Sequence, residues 1–144
     1  MILAIDPGTT HSGVVVFDGC GAREAYVAPN DQVIQHIQLW AWPDIAIEMI
    51  ASYGMPVGAE VFETVRWIGR FQQAFHFPER VKLVFRKDVK MHLCGTPRAK
   101  DANIRQALID KLGAPGTKKD PGPTYGVKSH AWAALAVAVT AMEI

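Results

Sequence analysis

Ile2-Leu3-Ala4-Ile5-Asp6-Pro7-Gly8-Thr9-Thr10 opens the chain, and Gly13-Val14-Val15-Val16-Phe17-Asp18 follows after His11 and Ser12. The apolar run 2–5 stops where Pro7 and Gly8 end a strand and start a turn. Three consecutive valines favour the pleated conformation, so residues 13–18 form a second strand. Gly19-Cys20-Gly21 turns the chain again, and residues 23–28 return as a third. The first 28 residues therefore predict a three-strand antiparallel meander with a carboxylate, Asp6, at the end of its first strand.

Pro29-Asn30-Asp31 then opens a helix on which Val33, Ile34, Ile37 and Trp40 or Trp42 share an apolar side. Ile45-Ala46-Ile47-Glu48-Met49-Ile50 is a buried strand interrupted by a carboxylate, and residues 54–58 are a loop. A long helix follows over 59–75, with Val61, Phe62, Val65, Ile68, Gly69 and Phe71 as its apolar pattern, and Pro78 stops it. Residues 81–85 alternate as a strand, while the periodicity of 90–95 fits a short helix or an extended piece equally well. Residues 100–112 form a helix with Ile104, Ala107, Leu108 and Leu112 on one side and Gly113 as its stop. Residues 113–126, with four glycines and three prolines, are expected to be a mobile loop. A last helix over 129–142, capped by Ser129, is apolar nearly all round and so should be buried. The sum, βββ-α-β-α-β-α-α, is an α/β domain with helices packed on a mixed sheet. No repeat or linker divides it, so residues 1–144 are expected to be a single domain.

Of the 144 residues, 49% are hydrophobic and 20% charged, which is globular composition. The longest nearly apolar run, 131–142, falls short of the roughly 20 residues that a bilayer span needs, so no membrane partner is expected. No basic segment precedes Ile2, and a secretory signal is not expected. Cys20 and Cys94 lack the spacing of a zinc site or a disulfide framework, so the default compartment is a reducing cytoplasm. The net charge of +1 conceals a division. Residues 1–65 hold one basic and eight acidic residues, whereas residues 66–144 hold fourteen basic and six acidic. The second half thus suits a polyanion, although chance clustering on solvated faces would give the same count.

Three residues stand out chemically. Asp6 either caps its own turn or ligates a metal on a rigid strand edge. Glu48 sits among Ile45, Ile47, Met49 and Ile50, where an unpaired carboxylate costs several kcal/mol, so it must be paired or bind a cation. No lysine or arginine stands between Arg23 and Arg66, so only a cation from elsewhere in the chain could pair with it. His130 opens the apolar last helix; alone it reads as a capping or core residue, but beside converging carboxylates it could bind metal.

A carboxylate on the first strand, another on the fourth and a ligand at the start of the final helix resemble the RNase H-like arrangement. That resemblance implies a five-stranded mixed sheet, the three-strand antiparallel meander plus two parallel strands, with helices on both faces. Residues 3–13 further resemble the opening strand and turn of RuvC-type Holliday junction resolvases, especially short phage-encoded ones. Ile45-Ala46-Ile47-Glu48 is similar to that family's second acidic motif. Val89-Lys90, Gly95, Ala99-Lys100 and the following helix are similar to its basic segment, and residues 130–138 to its closing helix.

The resemblance implies a metal-dependent endonuclease for four-way DNA, with Asp6, Glu48 and His130 holding two Mg²⁺ or Mn²⁺ ions and no organic cofactor. Lys100 would stabilise the phosphate at the cut. Lys90, Arg98 and Lys100 would grip DNA, with Arg86, Lys87, Lys118 and Lys119 as a looser surround. It also implies a homodimer through the helix 59–75, a bacterial cytoplasmic setting and a phage source. Two positions depart from the family pattern. Ala133 replaces a ligand whose part would fall to Asp101, Ser129 or water, and Ala51 replaces a junction-wedging aromatic for which Tyr53 could stand in. Two other readings stay open: a nucleotide-binding module of the actin and sugar-kinase type, for which residues 6–10 would be the phosphate loop, and an inactive relative that binds branched DNA.

Overall fold

A computed structural model describes residues 1–144. The three-strand meander forms as expected: β1 (Ile2–Asp6), β2 (His11–Phe17) and β3 (Ala22–Pro29). The chain then alternates through α1 (Asn30–Leu39), β4 (Asp44–Met49), α2 (Ala59–Ala74), a single 3₁₀ turn at Pro78–Arg80 and β5 (Lys82–Phe85). It closes with three helices, α3 (Arg86–Cys94), α4 (Asp101–Leu112) and α5 (Ala131–Glu143). The sheet order is β3-β2-β1-β4-β5, with β1 central, antiparallel to β2 and parallel to β4. No helix is long and apolar enough to cross a membrane.

Strand alternation divides the core into two layers. Leu3, Ile5, Val14, Val16, Ile45 and Ile47 face α1 and α2, whose Val33, Ile37, Ile68 and Phe71 are buried against them. Ile2, Ala4, Val15, Phe17 and Ala46 face the opposite way, onto α5 and, through Val89, Ile104 and Leu108, onto α3 and α4. α5 is sandwiched between sheet and helices, which is why Ala134 to Ala141 are all buried.

Several details differ from the sequence reading. The undecided stretch 90–95 belongs to α3, which starts at Arg86 directly after β5 and ends at Gly95 in the left-handed region, φ 73°. Trp42, not Trp40, completes the apolar side of α1, its indole N–H donating to the carbonyl of His36 at 3.1 Å, while Trp40 is exposed. Phe62, Val65 and Gly69 point outward from α2, because Thr64, Ile68 and Phe71 already supply its inward stripe. Residues 113–126 form an exposed loop over 114–121 that is anchored to the domain at Gly113 and at 122–124. Thr124 is fully buried with its hydroxyl donating to the Gly113 carbonyl at 2.9 Å, and the Ala22 N–H donates to the Pro123 carbonyl at 2.8 Å.

The turn between β1 and β2 is tied to α1. The buried Ser12 hydroxyl donates to Asn30 Oδ1 at 2.6 Å and accepts the Gly8 N–H at 3.1 Å, while Asn30 Nδ2 donates to the Gly8 carbonyl at 3.0 Å. These bonds fix the backbone that follows Asp6. Ser12→Ala strands the Gly8 N–H and the Asn30 carbonyl oxygen in a buried pocket and is expected to destabilise the fold by about 1–3 kcal/mol, measurable by urea unfolding.

Candidate active site

Parallel pairing of β1 with β4 sets Ile5 opposite Ile47, so the next residues, Asp6 and Glu48, leave the two strand ends side by side. By alternation both project to the α5 side, with Ala4 and Ala46. Glu48 is 8% exposed. Burial first, then the adjacent Asp6 carboxyl, push its own carboxyl up to about 8. Burial also raises Asp6, partly offset by the neighbouring Glu48 carboxyl and by the Arg86 guanidinium. At neutral pH the pair therefore retains a proton.

The cation that reaches Glu48 comes from the far side of β5. Arg86 Nε lies 3.8 Å from Glu48 Oε1, and its NH2 group is hydrogen-bonded to Asp101 Oδ1 at the start of α4. Arg86 is thus not part of a loose surface surround. It lines a cleft of about 390 Å³ together with Asp6, Glu48, Asp101, Arg105 and His130. Ser129, Trp132 and Ala133 also line it, and Ala133 offers no donor. Lys100, expected beside the reacting phosphate, is not among the lining residues. It is exposed at the N-cap of α4, its backbone N–H donating to Asn103 Oδ1 at 2.9 Å, and Arg86 and Arg105 are the cations of the cleft.

His130 reaches the cleft because Gly13 has no side chain. Gly13 pairs with Asp6 across β1 and β2, and a Cβ there would meet the His130 carbonyl oxygen at 2.4 Å. The start of α5 therefore lies directly on the sheet, and His130 Nδ1 sits 3.2 Å from Asp6 Oδ2 with 71% of its side chain exposed. Ser129 does not cap the helix: it holds a left-handed backbone, φ 52°, and His130 takes the cap position. The sequence reading included Gly13 in the opening motif without giving it a part; a glycine heading a valine run in a strand was the available signal of a close approach.

No three His, Cys, Asp or Glu side chains are arranged as a ready-made metal cage. Asp6 is hydrogen-bonded to His130, whereas the charged group nearest Glu48 across the cleft is Arg86, 3.8 Å away. The donor set nevertheless fits a divalent cation. Asp6 and Glu48 are adjacent carboxylates, hard oxygen ligands, and the His130 imidazole adjoins Asp6.

Tyr53, Lys87, Lys90 and Pro97, with Arg86 again, line a second groove of about 400 Å³. Tyr53 is exposed with a left-handed backbone, φ 51°. Arg98, Lys118 and Lys119 are exposed and line neither the cleft nor this groove.

No protein-family model matches the sequence, and no curated protein does. Solved structures do. The chain is similar to Thermus thermophilus RuvC at 23% identity, covering 96% of this chain and 91% of that one, with a TM-score of 0.65. It is also similar to T. thermophilus RuvC in complex with Holliday junction substrate, at 22% identity over 96% and 90% of the two chains, with a TM-score of 0.68. The chain has the RNase H-like fold of these structures.

Because Glu48 is raised from 4.5 in the free side chain to about 8, folding favours its protonated form. That stabilisation is complete below 4.5 and disappears as pH rises through 8, so the metal-free protein is expected to melt progressively lower over this window. Glu48→Gln should flatten the slope and raise the melting temperature at pH 8.5 by about 3–6 °C, the equivalent of 1–2 kcal/mol in a domain of this size. Gly13→Ala should lower stability by about 1–3 kcal/mol through overpacking against α5, and a crystal structure of the variant should show His130 withdrawn from Asp6.

Proposed function

We propose that this protein is a divalent-metal-dependent endonuclease that cuts phosphodiesters in branched DNA, a Holliday junction resolvase. One observation carries the reading: in a fold similar to that of T. thermophilus RuvC, the pairing of β1 with β4 brings the buried Glu48 and the half-buried Asp6 together in a cleft bordered by arginines. Carboxylates with arginines at a strand edge suit a phosphodiester under attack by water. The cleft's lining holds three acids, Asp6, Glu48 and Asp101, which would repel the triphosphate of a nucleotide-binding module unless a cation intervened.

Asp6 and Glu48 would hold the Mg²⁺ or Mn²⁺, with His130 as a further ligand or as the group that orients water. When bound, such an ion lowers the pKa of water and neutralises charge growing on the departing oxygen. The oxygen of water bonds to phosphorus as the P–O3′ bond breaks, leaving a 5′-phosphate and a 3′-hydroxyl. His130 is hydrogen-bonded through Nδ1 to Asp6, with its other ring nitrogen open to solvent; it would orient the attacking water and take the proton that water loses. The leaving 3′ oxygen takes its proton from solvent.

DNA grip would come from Tyr53, Lys87 and Lys90, whose groove adjoins the cleft through Arg86, and from Arg98 and Lys100 beyond it. Contacts of this kind position the backbone and carry no base sequence. Two symmetric cuts need two sites, so a homodimer is part of the proposal. The outward residues Phe62, Val65 and Gly69 of α2 would form its seam.

The test is a Mg²⁺- or Mn²⁺-dependent nicking assay on four-way, flap and linear DNA. Four-way junctions should be cut in preference to linear duplex, and Asp6→Asn should abolish cutting while leaving junction binding within about twofold. An Asp6→Asn protein that still cuts, or a wild type that binds junctions without cutting them in either metal, defeats the proposal.

A further inference from the structure

Trp132 is the one large ring in the lining of the cleft, set in a stretch of alanines, Ala131, Ala133 and Ala134. It is half-buried: the indole packs against the core layer under α5 and also borders the cleft. Arg105 stands one turn beyond Asp101 on α4 and lines the same cleft. Its guanidinium carbon lies 5.4 Å from the centre of the Trp132 ring. The two arginines of the cleft are therefore held differently. Arg86 is bound to Glu48 and Asp101, whereas no carboxylate pairs with Arg105, which is exposed. An exposed cation over a ring is held weakly, so Arg105 is free to leave it for a stronger partner.

Resting on the nuclease reading above, we propose that Trp132 is a stacking platform for one unpaired nucleobase beside the reacting phosphate, and that Arg105 moves off the ring to hold that nucleotide's own phosphate. The two residues would thereby select branched DNA over fully paired duplex. A ligand suited to this wall needs a flat π face for the indole and a negative charge for the free guanidinium. A nucleotide carries both on one unit. The cleft, about 390 Å³, is of a size for one nucleotide. Inside a duplex both faces of a base are covered by its neighbours, so only a base already out of the stack can lie on Trp132. Such bases are cheapest to supply where pairing is interrupted, as at a branch point or a bulge. Stacking tolerates any base, so the platform reads DNA shape and not sequence. Because the ring is braced by the core, little of it needs ordering when the base arrives. Asp6 and Glu48 line the same cleft, so a base held on Trp132 would bring its phosphodiester to the carboxylates.

The experiment binds the full chain, in EDTA so that no strand is cut, to four-way junctions carrying 2-aminopurine at successive positions around the branch. Fluorescence of that base reads stacking, and anisotropy reads affinity. Trp132→Leu keeps an apolar side chain against the core but removes the flat face, and Trp132→Phe restores a ring. At one position beside the branch, emission should be lower in the wild-type complex than in the Trp132→Leu complex, and Trp132→Phe should regain most of the quench. Trp132→Leu should weaken binding to the junction, and to a duplex with a one-nucleotide bulge, by about tenfold, while affinity for fully paired duplex stays within about twofold. Arg105→Gln should lower the slope of log affinity against log salt for the junction by about one and leave the quench in place. Equal emission from wild type and Trp132→Leu at every position overturns the inference. So does an equal loss of affinity for junction and paired duplex, because the ring then only fills space between α4 and α5. Cutting in Mg²⁺ or Mn²⁺ is read separately. Trp132-dependent quenching in a protein that cuts no DNA keeps the platform and defeats the nuclease reading, and cutting without such quenching does the reverse.

Discussion

The parallel pairing of β1 with β4 is the constraint on which the rest of the molecule depends. Side chains alternate between the faces of a strand, so a slip of one residue would send Glu48 to the α1 and α2 side and Ile47 into the cleft. The register is held by the cores on both sides: Leu3, Ile5, Ile45 and Ile47 fill one layer, and Ile2, Ala4 and Ala46 the other. Hydrophobic burial thereby sets two carboxylates side by side, a placement that charge alone would oppose. The Arg86 guanidinium, 3.8 Å from Glu48, offsets part of the charge at that spot.

Much of this was legible in the sequence because the signals were local. Prolines and glycines mark the ends of β1 and of the hairpin turn, the valine run marks β2, and a carboxylate among isoleucines marks Glu48 as exceptional. The continuous apolar stretch of α5 announced its burial. Pairings between distant segments were less accessible. Arg86 stands 38 positions beyond Glu48, and only the β4–β5 register puts them in contact. Lys100 was drawn to the site by resemblance, but its place at the helix cap sets it apart from the cleft, and arginines from α3 and α4 occupy the ground expected for it.

Composition misled where tertiary packing decided the outcome. Glycine and proline in residues 113–126 suggested mobility, yet their small or rigid shapes let the loop fold back on itself. A Cβ on Gly122 would meet the Ala114 carbonyl at 2.0 Å. On α2 the helical period was read correctly but the inward face was not, because a buried threonine took a place that Phe62 or Val65 seemed to claim. The division of charge between the halves also acquires a spatial meaning: the acids of the first half include Asp6 and Glu48, and the second half supplies Arg86, Arg105, Lys87 and Lys90 around them.

The contact between Asp6 and His130 joins residues 124 positions apart. During synthesis the sheet emerges first, with Ile2, Ala4, Val15 and Ala46 uncovered on one face until α5 leaves the ribosome. For that interval the nascent chain exposes a greasy surface to chaperones and to its neighbours, and its folding must wait on the most distant segment. A polypeptide released before α5 would have neither a closed core nor a complete cleft, so truncated products should be cleared by proteases rather than persist.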